Sequence, residues 1–89
     1  MADRALNDTY RKLMAKASPA GRERLRAAQR AWISFRDLDC AARAGSRTGS
    51  FYPASLSLCL EDLTDQRTKT LQAELNCAEG DLSCGGLLD

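Results

Sequence analysis

Four cysteines, Cys40, Cys59, Cys77 and Cys84, are the residues of this 89-residue chain best equipped for chemistry. Thiols can hold a metal, exchange electrons or close disulfides. Zinc sites usually draw their ligands as close pairs, because a tight turn must aim two ligands at one ion. Here the spacings are 19, 18 and 7, and the chain has no histidine. The pattern argues against a metal site and for disulfides, with four free thiols in a cytosolic protein as the other alternative. Disulfides imply an oxidising compartment, so the expected location is periplasmic or secreted, with a signal segment already removed and Met1 an added start residue.

Other chemistry finds little support in the residue types. Without histidine the commonest general base is absent, and the neighbouring Ser34, Arg36 and Asp37 match no nucleophile–base arrangement. No paired carboxylates, phosphate-binding loop or cofactor motif stands out. The expectation is therefore a binding protein with no catalytic residues, no metal and no cofactor.

A chain of this length makes one domain, residues 1–89, and buries only roughly 60–65% of the surface its unfolded form exposes, so a staple must supplement the core. Net charge is +1, but residues 1–47 carry eleven Lys and Arg against five Asp and Glu, while residues 48–89 carry two against seven. Either a basic helix packs beside an acidic one, or one face steers a charged partner. A basic stripe including Arg22, Arg26 and Arg30 raises nucleic-acid binding as a rival, and the acidic second half opposes it. No apolar run approaches the roughly 18 residues that a membrane span needs.

The elements that must position these residues are helical. Leu6, Tyr10, Leu13, Met14 and Ala17 recur at helical spacing and predict a first helix over about 3–17. Ser18 and Pro19 suit the N-cap and first turn of a second helix, running to about residue 44. Its expected buried stripe is Leu25, Ala28, Trp32, Phe35, Asp39 and Ala42, with Ile33 touching the first helix. Residues 45–53 read as a loop, and its Phe51 and Tyr52 either cap the core or anchor a partner. A third helix over about 54–76 presents Leu56, Leu60, Leu63, Arg67, Leu71 and Leu75. The expected fold is all-α, a three-helix antiparallel arrangement of a hairpin plus an N-terminal helix.

Four cysteines permit three pairings, and sequence alone does not choose among them. The helices do favour one. Cys40 falls about one turn before the end of the second helix and Cys59 about one turn after the start of the third, positions that face each other in an antiparallel hairpin. Cys77 and Cys84 are then left to close the tail.

These blocks carry a resemblance. LNxxYxxL from Leu6 to Leu13, LxxAQRAWIxFRDxxC from Leu25 to Cys40 and CLxxLTxxRTxxL from Cys59 to Leu71 make the chain similar to the LprI-type lysozyme inhibitor domain, a small exported helical module of bacteria. The resemblance covers about residues 3–75 and leaves the Cys77–Cys84 tail outside. It implies a helical fold, export, and a role in blocking lysozyme attack on the cell wall.

Lysozymes are commonly basic, so the expected docking face is acidic: Glu61, Asp62 and Asp65, with Glu79 and Asp81 in the tail. Phe51 and Tyr52 are the candidate aromatic anchors, while Trp32 and Arg36 are expected to organise the fold. The alternative is a structural or sensory domain of a larger envelope protein. Oligomeric state is open, because the apolar stripes can be satisfied within one chain or between two.

Overall fold

The computed structural model describes residues 2–77 and 86–88. Their backbone forms α1 (Ala2–Lys16), α2 (Pro19–Ala44), α3 (Tyr52–Leu75) and a 3₁₀ turn, Gly86–Leu88. The chain reverses between α1 and α2 at Ala17 and Ser18. There the extended Ser18 (φ −65°, ψ 164°) accepts the Gly21 N–H on its Oγ at 2.9 Å, and Pro19 occupies the first turn of α2. Arg22 closes the corner by donating from Nε to the Met14 carbonyl, 2.9 Å away.

Three contacts fix the directions. Lys16 Nζ reaches the Leu75 carbonyl, so α1 and α3 end together. Arg36 faces Asp3 at 3.8 Å. The Cys40–Cys59 disulfide, with Cα atoms 5.5 Å apart, ties the end of α2 to the start of α3. Consecutive helices are therefore antiparallel, and α3 packs against both of the others. The all-α expectation holds, and so does the bridge between these two cysteines.

Leu6 and Leu13 of α1, Leu25 of α2 and Leu71 of α3 make the core, with Tyr10, Met14, Trp32, Leu75 and Leu87 packed around it. Four leucines are few, and the polar residues beside them compensate. Gln29, Thr64 and Thr68 are buried, and no buried side-chain N or O atom among the described residues lacks a hydrogen-bond partner.

Several expectations need correction. The stripe that α2 buries is Gly21, Leu25, Gln29 and Cys40, with Trp32 and Arg36 half-buried among them. Ala28 and Ala42 are exposed instead, and so is Phe35. Apolar spacing alone predicts those positions, whereas α3 presents Thr64 and Arg67 to α2 and so selects polar partners. Ile33 stays exposed rather than covered by α1, because α1 packs chiefly on α3. The helix α3 begins at Tyr52, ahead of Ala54, because Pro53 fits its first turn and so does not delay the start. Cys84, Glu79 and Asp81 lie outside the described residues, and with them the expected closure of the tail.

Candidate functional site

At the centre of the α2–α3 contact is a polar seam built around one indole. Arg36 and Arg67 both approach the Trp32 ring, with guanidinium carbons 5.2 and 5.8 Å from its centroid. Arg36 donates to Asp37 and to Thr64 Oγ1, the latter at 3.3 Å, and so crosses from α2 to α3. Arg67 donates from Nε to Gln29 Oε1 at 3.0 Å. Burial holds the Arg67 guanidinium below its ordinary pKa, because the site strips water from the cation. Among the described residues no carboxylate pairs with Arg67, so Gln29 and the ring face are what offset that cost. The seam fixes register between helices and contains no reacting pair.

Trp32 is half-buried rather than enclosed, so part of its ring meets solvent. Near it, Ala2, Asp3, Arg36, Ser57, Leu60, Glu61 and Thr64 line a cleft of about 300 Å³. Carboxylates, hydroxyls and a guanidinium in one cleft are equipment for holding a polar group by hydrogen bonds.

The acidic candidates assemble on α3. Glu61, Asp62 and Asp65 are all exposed, and at 100° per residue they share one face with Leu58, three and four residues before the first two and seven before the third. Leu58 is 68% exposed, and Phe51, the N-cap residue one heptad earlier, is 80% exposed. Phe51 therefore does not cap the core. Tyr52 is half-buried and turns away from this row, so the two adjacent aromatics separate. The result is a face about 21 Å long, by the 1.5 Å rise per residue, with two apolar side chains and three carboxylates. Leu58 lies off the leucine stripe of α3, so apolar periodicity does not single it out; its spacing to the three carboxylates is the signal the sequence carries.

Comparison with known proteins gives this scaffold its relations. The family model described as lysozyme inhibitor LprI matches residues 1–71. The chain is also similar to a Rhizobium meliloti (strain 1021) protein named "Uncharacterized protein R02472", with 40% identity over 92 residues that cover 88% of this chain and 66% of the relative, so it spans about two thirds of that relative's length. No solved structure matches. The matched region includes all of α1 and α2, the disulfide, the Trp32 seam and the acidic face of α3, and on that match the chain belongs to the LprI lysozyme inhibitor family.

Proposed function

We propose that this chain is an exported protein-binding module that inhibits a basic lysozyme, and that it docks through the α3 face formed by Phe51, Leu58, Glu61, Asp62 and Asp65. Family membership supports the activity, and the observation that carries the face is the pair of exposed apolar side chains beside three exposed carboxylates. Apolar anchors supply the desolvated contact that dominates binding energy. Carboxylates at the rim speed encounter with a cationic surface. Inhibition then needs no chemistry: an α3 face laid across the mouth of a substrate cleft excludes the polysaccharide. The Cys40–Cys59 bridge fits an oxidising compartment.

The test is hydrolysis of bacterial cell wall by c-type, g-type and phage-type lysozymes with stoichiometric protein. Saturable inhibition of at least one type is expected. Asp62→Lys together with Asp65→Lys should slow association with that lysozyme roughly tenfold at low salt. Leu58→Asp should instead raise the dissociation rate. Unchanged rates in both variants would remove this face from the proposal. The length of the Rhizobium relative supports a second reading, a domain serving a larger envelope protein. Absence of inhibition of every lysozyme type would favour it.

A further inference from the structure

The bundle leaves one side of α2 uncovered, with an uncharged strip along it. Phe35 and Leu38 stand 56% and 73% exposed there. Between residues 27 and 42 the strip around them is exposed and made otherwise of alanines and Ser34, bordered by Arg30 and the half-buried Asp39. Of the nine charged residues of α2, Arg24 lies on the same side, Arg30 and Asp39 border the strip, and the rest lie elsewhere. The same row begins one turn earlier at Gly21 and Arg24, where the 3₁₀ turn already covers it: Leu87 packs over Gly21, and Arg24 donates to the Gly86 carbonyl at 2.9 Å. The open face therefore continues a packed interface.

Its side-chain sizes are arranged about a centre. Reflecting the row through the point between Ser34 and Phe35 sets Ala27 on Ala42, Ala28 on Ala41, Ala31 on Leu38, and Ser34 on Phe35. Each large side chain meets a small one, and no charge meets another. That is the pattern a two-fold axis requires, since an isologous contact places residue i on j and j on i. The molecule also has surface to spare. It measures 50 × 21 × 20 Å, and its radius of gyration is 15.3 Å, against about 12 Å for a compact chain of this length. It exposes 6169 Å² where roughly 5,100 Å² is expected for a compact chain of its mass.

We propose that this face binds a second copy of the same chain, α2 against α2 in antiparallel register, with the two-fold axis passing between Ser34 and Phe35. Ala31 of each copy seats Leu38 of the other, and the small residues at both ends let the helices approach closely. The interface is small, so the dimer forms and dissociates with concentration. It leaves the α3 face, and therefore the inhibitor reading, untouched.

Sedimentation of the oxidised chain from about 10 μM to about 1 mM tests this. The average mass should rise from 9.7 kDa toward twice that value. Ala31→Lys and Leu38→Glu should each hold the chain as a monomer with an unchanged helical signal and melting temperature, since both sites are exposed. An equimolar mixture of the two should restore the dimer, because the axis sets position 31 of one copy opposite position 38 of the other. If either variant misfolds, Ala28→Glu and Ala41→Lys make the same test. A wild-type monomer at about 1 mM, a dimer indifferent to the substitutions, or a mixture that stays monomeric overturns the proposal. So does a monomeric wild type in which Leu38→Glu weakens lysozyme binding, which would give the face to that partner instead.

Discussion

Trp32 shows how a single side chain organises a thin core. Its ring packs against the leucine cluster and receives two arginines. Replacing it with Ala should cost about 2–3 kcal/mol, less than the 3–5 kcal/mol of a fully enclosed aromatic, because part of the ring is already wet. A denaturant melt measures the loss, and a value below about 1 kcal/mol would mean the ring contributes little to the fold. That Trp32 shares a helical stripe with Leu25 was legible in the sequence. The roles of Gln29 and Thr64 were not. Periodicity marks which residues share a side, but a glutamine reads as surface until the arginine that needs its oxygen is placed opposite it, and that arginine lies 38 positions away. Polar residues enter a core only in complementary pairs, so neither partner can be recognised alone.

Among the elements, the α2–α3 hairpin carries the strongest local signals and the one covalent tie whose two ends are described. Ser18 and Pro19 define the start of α2, and the positions of Cys40 and Cys59 follow from where the two helices end and begin. That much could be read in advance. The start of α3 could not, since Pro53 reads equally as the end of a loop or the first turn of a helix. Fully enclosed, Cys40 sits in the packed hairpin end. Removing the bridge as Cys40→Ala with Cys59→Ala frees a loop of about 20 residues in the unfolded chain. By the loop-entropy model this costs about 3 kcal/mol, or roughly 12–24 °C in melting temperature. Differential scanning calorimetry checks it. A drop of under about 5 °C would mean the seam at Trp32 holds the hairpin without help.

At the scale of the molecule, the same helical code writes three separate surfaces: a core stripe, an acidic row on α3 and an uncharged row on α2. Phe35 was assigned to the first of these and belongs to the third, because hydrophobicity alone cannot tell a face that is already covered from one awaiting a partner. The C-terminal turn joins this description at the opposite end from the disulfide. Ser18 donates its N–H to the Leu87 carbonyl at 2.9 Å, and a Cβ at position 21 would overlap that carbonyl oxygen. Gly21→Ala should therefore destabilise the protein, although alanine is the better helix former by about 1 kcal/mol. Thermal melting beside a chain cut after residue 77 distinguishes the causes. Both variants should lose the same increment, and in the shortened chain Gly21→Ala should stabilise instead. The family match ends at residue 71, yet Leu87 is packed against the core. Kinship and packing thus draw the boundary of this domain in different places: a fragment trimmed to the shared region would keep the ancestry and leave one end of its interior open to water.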